Sequence, residues 1–170
     1  VDDREARDLK KDARRYKRLN AMLTPMSKYY ASEMSMRVAN GAIAVLGGSG
    51  YMKDYPVERH LRDSRITTIY EGTSQLQVVA AVRGVSSGTA GSLIKDMLDR
   101  DWPEELAPLA EKILEGEKLL AESVEFAKAE GTEYTDLMSR RLVDMGVALV
   151  CAALMLDHAA VRESKKAVVR

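Results

Sequence analysis

Apolar residues recur at steps of three and four along nearly the whole chain, a spacing that predicts helices rather than strands. Met26, Tyr30, Met34, Val38, Ala42 and Val45 form one continuous face. Thr24-Pro25 just before it reads as an N-cap followed by proline at the first helical position. Gly47-Gly48 stops that helix, as glycines beyond a C-terminus do. Pro56 opens a short helix through Asp63. Ile66 to Tyr70 is rich in β-branched residues, but no partner strand is evident, so it reads as an extended connector.

Thr73 caps a further helix, Ser74 to about Arg83. Residues 84–91, rich in glycine, serine and threonine, are the clearest linker in the chain. A short helix is predicted near Ser92–Asp99, then a break at Trp102-Pro103. The next helix carries Leu106, Leu109, Ile113, Leu120, Val124 and Ala127 on one side. Gly131-Thr132 separates it from a last long helix with the stripe Tyr134, Met138, Leu142, Met145, Leu149, Ala152 and Leu156. Two long amphipathic helices joined by a short turn predict an antiparallel hairpin that must bury its stripes against something. The expected fold is all-α, a helical bundle over residues 1–84 with an added helical hairpin over 85–170. No internal repeat of solenoid length recurs.

Composition narrows the function classes. The 170 residues suit one domain, or a domain and a half. Charged residues are 31% of the chain and balance to a formal net charge of zero. That balance gives no electrostatic reason to expect nucleic acid or a membrane surface as partner. The run from Arg4 to Arg18 is basic but threaded with Asp and Glu, the pattern of a solvated helix face with i,i+4 pairs. Cys151 is the only cysteine, which excludes an intramolecular disulfide and a cysteine metal cluster. It stands in the apolar run from Val147 to Leu156, where a buried, inert thiol is expected. His60 and His158 lack ligand spacing, so no metal is expected. The sequence shows no signal peptide and its apolar stretches read as too short for a membrane span, so a cytoplasmic protein is expected. Met26, Met34, Met36, Met138, Met145 and Met155 fall mostly on helical stripes and read as core filler.

Two segments carry chemistry. Gly47-Gly48-Ser49-Gly50 invites a phosphate-loop reading, but it follows a helix and has no Lys-Ser/Thr at its end. It is a helix stop whose backbone amides remain able to meet a phosphate. In Tyr70-Glu71-Gly72-Thr73-Ser74-Gln75 an ionisable carboxylate sits between an aromatic and a glycine, just before a helix cap. A general base needs a rigidly held carboxylate in a site that can be dried. Spacing alone leaves two readings of Glu71 open, a base and a surface acid.

Longer blocks extend this segment. Tyr29-Tyr30-Ala31-Ser32-Glu33-Met34 is followed by Arg37-Val38-Ala39 and by Ala42 to Tyr51. Then come Tyr55-Pro56-Val57-Glu58-Arg59, Arg62-Asp63-Ser64-Arg65-Ile66 and Ile69-Tyr70-Glu71-Gly72-Thr73-Ser74-Gln75-Leu76-Gln77. In order and spacing, from about Tyr16 to Gly84, they resemble the C-terminal helical domain of flavin-dependent acyl-CoA dehydrogenases. From Gly84 onward the helices resemble the C-terminal extension of longer, bacterial-type members.

The resemblance implies an activity and a cofactor. An acyl-CoA thioester would lie against FAD, a carboxylate matching Glu71 would remove its α-proton, and hydride would pass from the β-carbon to the flavin, giving trans-2-enoyl-CoA. The Glu71 N–H and a flavin ribityl hydroxyl would form the oxyanion hole. Tyr70 and Gly72 would line the acyl pocket. Thr73 and Gln75 match FAD contacts, and Gly47 and Gly48 match a turn approaching the FAD of a neighbouring subunit. Ala44 stands where many relatives carry Gln, so that side-chain contact to FAD is absent. Glu58, Arg59, Arg62 and Asp63 read as helix and turn fixing, and Asp136, Arg140, Arg141 and Asp144 as solvated ion pairs. The implied partners are acyl-CoA, an electron-transfer flavoprotein and further copies of the parent enzyme.

Nothing here resembles the other domains of such enzymes, and Val1 opens directly in a charged helical run. The chain therefore reads as a C-terminal piece, carrying the base and inactive alone. The alternative is a non-catalytic helical module for oligomerisation or partner binding. Retention of Glu71, Thr73 and Gln75 together favours the enzyme.

Overall fold

The computed structural model describes residues 3–169, which form eight helices and, among the described residues, no strand. The helices are α1 (Asp3–Leu46), α2 (Gly48–Tyr51), α3 (Val57–Thr67), α4 (Ser74–Ser86), α5 (Thr89–Leu98), α6 (Ala107–Ala129), α7 (Thr132–Val161) and α8 (Glu163–Val169). The all-α expectation holds.

The longest helix differs from the expectation in two ways. The 44 residues of α1 make a rod about 66 Å long at the usual helical rise, and Pro25 lies inside it rather than at its start. Thr24 is not a cap, because it lies inside α1, where its hydroxyl donates to Asn20 Oδ1 at 3.0 Å. Pro25 leaves the Ala21 carbonyl without its N–H donor, and buried packing on both sides of the proline holds the helix together. The buried face is also rotated from the expected one. It runs through Met22, Met26, Tyr29, Ser32 and Ala39, whereas Tyr30, Val38 and Val45 are exposed, Val45 at 88%. Both rows keep helical spacing, by steps of three, four or the two-turn seven, so the spacing does not choose between them.

Ahead of this face, residues 4–18 are helical and almost wholly exposed. No i,i+4 pair forms there among the described residues; Arg15 instead reaches Asp96 on α5 at 2.6 Å. Helix α1 ends at Leu46, and Gly47 leaves it with a φ of +60°, which favours glycine. Pro56 precedes α3 as expected, and α3 runs on to Thr67. The residues read as an extended connector, 66–70, are the end of that helix and the turns after it. No ion pair forms within the block Glu58, Arg59, Arg62 and Asp63 among the described residues, although Glu58 does occupy the first turn of α3, where a negative charge suits the helix dipole.

The expected linker at 84–91 is helical except for a two-residue junction. Helix α4 continues through Ser86, Gly88 adopts φ +79°, and α5 starts at Thr89. Gly84 belongs to the packing: a Cβ there would meet Met22 Cβ at 2.5 Å, so α4 lies directly on α1. The hairpin of α6 and α7 turns at Gly131, φ +103°. The edge-to-face pair Phe126 and Tyr134, 5.9 Å between centroids, clasps it.

The core has two adjoining parts. One gathers Met22, Met26 and Tyr29 of α1, Val78, Ala81 and Val85 of α4, and Leu120, Val124, Leu142, Val143 and Val147 of the hairpin. The other gathers Ile94 and Leu98 of α5 with Leu106, Ile113, Val150, Ala153 and Leu156. By length and composition α7 qualifies as a membrane span, which corrects the expectation that every apolar stretch is too short. Leu142, Val143, Val147, Val150, Ala153 and Leu156 on one side of it build the core, whereas Leu137, Leu154 and Val161 are exposed.

Asp144 and Arg140 do more than solvate the hairpin. Arg140 pairs with Glu33 at 3.3 Å and stacks over the Tyr29 ring, while Asp144 accepts from the Tyr29 hydroxyl. All of these contacts tie α7 to α1.

Candidate functional site

The residues singled out at 70–75 span the short loop between α3 and α4 and the first turn of α4. Helix α3 runs out through tight turns, with the Ile69 and Tyr70 N–H groups both donating to Ile66 O at 3.0 Å. The chain then folds back, and the Ser74 N–H donates to Thr68 O at 3.1 Å, closing the loop at its base. Thr73 caps α4 as its sequence position predicts, its hydroxyl accepting from the Leu76 N–H. Glu71 sits at the apex.

The backbone at that apex is unusual. Glu71 is the positive-φ residue other than glycine among the described residues, at φ +53°, and Gly72 follows at φ +91°. A side chain in the left-handed region costs about 1 kcal/mol or more and persists only where surrounding contacts over-determine it. Two such contacts are present. Gln77 Nε2 donates to Glu71 O at 2.9 Å, and Lys28 Nζ donates to Gly72 O at 2.8 Å. Lys28 also donates to Thr67 O at 2.8 Å and lies 5.5 Å from the centre of the Tyr70 ring.

Glu71 and Tyr70 are exposed, so this chain presents the carboxylate on an open surface. The Glu71 N–H makes no backbone hydrogen bond among the described residues. Ser74 Oγ is buried and has no hydrogen-bond partner among them.

Gly47 and Gly48 are not part of this loop. They lie at the α1–α2 junction, separated from it along the chain by α3, whose 11 residues span about 16 Å. Both are exposed, with nothing within 4 Å of a Cβ at either position. The turn is thus open to backbone approach. Exposed Thr73 and Gln75 at the start of α4 add a hydroxyl, an amide and a helix N-terminus. These neutral donors suit the hydroxyls and pyrophosphate of a dinucleotide such as FAD.

A groove of about 790 Å³ lies elsewhere, along α1, lined by Arg7, Lys10, Lys11, Arg14, Lys17 and Arg18. It has no carboxylate for proton abstraction. Among the described residues no group of three His, Cys, Asp or Glu side chains gathers as for a metal. Cys151 is half-buried, and burial pushes its thiol up.

Lys28 is the residue that reading the sequence missed. Its place between buried Met26 and Tyr29 was the available signal, since a cation on a buried stretch of helix needs acceptors. Gln77 lies four residues beyond Thr73, one turn into α4, with no other mark of its role.

Comparison with known proteins follows the same two halves. Residues 6–85 match the family described as acyl-CoA dehydrogenase, C-terminal domain, and residues 86–167 match that described as acyl-CoA dehydrogenase C terminal. The chain is 46% identical over 66 residues to the cyclohexane-1-carbonyl-CoA dehydrogenase of Geobacter metallireducens, covering 39% of this chain and 17% of that protein. It is 47% identical over 64 residues to an acyl-CoA dehydrogenase of Bacillus subtilis, covering 38% and 17%. With the mitochondrial short/branched chain specific acyl-CoA dehydrogenase of Rattus norvegicus it is 55% identical over 53 residues, covering 31% and 12%. The match thus spans at most 17% of these relatives' length. No solved structure matches the chain.

Proposed function

Because the chain belongs to the acyl-CoA dehydrogenase family, we propose that it is the C-terminal part of an FAD-dependent enzyme converting an acyl-CoA thioester to its trans-2-enoyl-CoA. Residues 1–84 supply the base and one edge of the flavin site, and 85–170 form a packing extension. The observation that carries this reading is the placement of Glu71. Its carboxylate stands on a loop held in a left-handed conformation, at the mouth of α4 and beside Tyr70. A solvated surface acid has no use for such a backbone.

In this proposal a Glu71 oxygen takes the α-proton of the thioester. The electron pair left on the α-carbon delocalises toward the thioester oxygen. The Glu71 N–H, without a backbone partner here, donates to that oxygen and stabilises the developing charge. Tyr70 and Gly72 line the acyl side. FAD, when bound, would supply the hydride-accepting chemistry for the β-carbon. Thr73 and Gln75 would hold one edge of it and the Gly47-Gly48 turn would meet that of a neighbouring copy. An electron-transfer flavoprotein is the proposed acceptor. The exposed Val38, Val45, Tyr51 and Met52 supply apolar surface for the remaining domains or another copy of the parent. The 170-residue chain alone is inactive in this reading, because it leaves Glu71 open to water.

Glu71→Gln in the full-length flavoprotein tests the assignment. The variant is expected to retain flavin while anaerobic flavin bleaching by acyl-CoA slows by at least about 100-fold, the scale of a lost general base. Unchanged bleaching refutes the base and leaves a helical interaction module. Adding FAD and acyl-CoA to the isolated chain tests its inactivity; turnover there ends that part of the proposal.

A further inference from the structure

We propose that Lys28 and Gln77 are positioning residues for the Glu71 carboxylate, each holding one of two successive peptide planes in the loop that carries it. This rests on the reading of Glu71 as the base. Glu71 O belongs to the plane between residues 71 and 72, and Gly72 O to the plane between 72 and 73. Gln77, in the first turns of α4, donates to the first at 2.9 Å; Lys28, in the middle of α1, donates to the second at 2.8 Å. The two pins come from different helices, so the apex is referred to both.

Lys28 joins a third point by donating to Thr67 O at the end of α3. One ammonium therefore ties α1, the last residue of α3 and the loop. Its surroundings are partly buried, where charge-assisted hydrogen bonds are stronger than in water. The φ of +91° calls for glycine after the glutamate, and a Cβ there would meet Gln77 Nε2 at 2.9 Å and push that amide off its carbonyl. Remove either donor and the left-handed pair has a lower-energy way out. The Cα–Cβ direction of Glu71 then turns with it, and a misplacement near 1 Å costs proton transfer about 100-fold.

The test uses Lys28→Met, Gln77→Leu and Lys28→Arg in the full-length flavoprotein, each alone and Lys28→Met also on Glu71→Gln. Lys28→Met and Gln77→Leu are expected to retain flavin and to slow anaerobic bleaching by about 10- to 100-fold, mostly in kcat with KM little changed. Amide hydrogen exchange at residues 70–74 rises in both. Lys28→Arg, which keeps donors for both carbonyls, restores most of the rate. On the Glu71→Gln background, Lys28→Met causes little further loss, as expected if it acts only through the base. Wild-type bleaching in Lys28→Met and Gln77→Leu beside an inactive Glu71→Gln overturns the positioning role and leaves the base standing. Wild-type bleaching in Glu71→Gln overturns both. Additive losses in the double variant assign Lys28 a separate structural role and overturn the proposal.

Discussion

The Tyr29 hydroxyl donates to Asp144 Oδ1 at 2.7 Å, across 115 residues of chain, and joins α1 to α7. The tyrosine is 3% exposed, and its pKa is pushed up to about 12. Burial is the main cause, followed by the hydrogen bond and the negative charge of Asp144. Tyr29→Phe is expected to lower stability by about 1 kcal/mol, the net worth of one such bond. The sign of the pH dependence follows from the raised value. The folded state prefers the protonated phenol, so the contribution is whole below the unfolded pKa near 10 and is lost as pH climbs from there toward 12. Denaturation midpoints of the two proteins, compared at pH 8 and at steps above 10, should converge as pH rises.

Glycine positions separate packing from helix propensity. Gly84→Ala would drive a Cβ into Met22 Cβ at 2.5 Å, and overpacking of this kind is expected to cost about 1–3 kcal/mol. At Gly146 the nearest atom is the mobile end of Met26, Cε at 3.0 Å, so Gly146→Ala is expected to cost less. Gly41 lies in α1 with nothing within 4 Å, and Gly41→Ala is expected to stabilise by about 0.5–1 kcal/mol. Thermal melts should rank Gly41→Ala above wild type, then Gly146→Ala, then Gly84→Ala.

Glu117 of α6 is 7% exposed at its side chain and pairs with Lys95 of α5 at 2.9 Å, whereas Lys95 is 61% exposed. Removing the lysine strands a buried carboxylate, but replacing the carboxylate leaves only a solvated ammonium. Lys95→Met should therefore destabilise more than Glu117→Met, by urea titration. The opposite order means that Glu117 contributes through contacts other than its pair with Lys95.

Burial raises the Cys151 thiol pKa, which lowers its thiolate fraction at any pH below that value. Alkylation by iodoacetamide at pH 8 is expected to be slower than for a free thiol and to accelerate in denaturing urea. Equal rates with and without urea would contradict the buried environment.

The boundaries of the helices were largely legible because they are written in local chemistry. Gly47 and Gly131 adopt positive φ where the sequence stops a helix, Pro56 precedes α3, and Thr73 caps α4 with its own hydroxyl. The order of blocks leading to Tyr70–Gln75 likewise carried the family, since it needs no third dimension to be read. Tertiary structure decided the rest. Which row of α1 is buried depended on where α4 and the hairpin lie, and the same packing holds Pro25 inside a helix and makes 84–91 a helix–helix contact. The left-handed turn at Glu71 is held by Lys28, 43 positions upstream, and by Gln77, six downstream. A periodic pattern records how a residue relates to its own helix; it carries no information about which distant donor will meet a given carbonyl. That pairing arises only when the helices pack, and here it fixes the backbone of the proposed base.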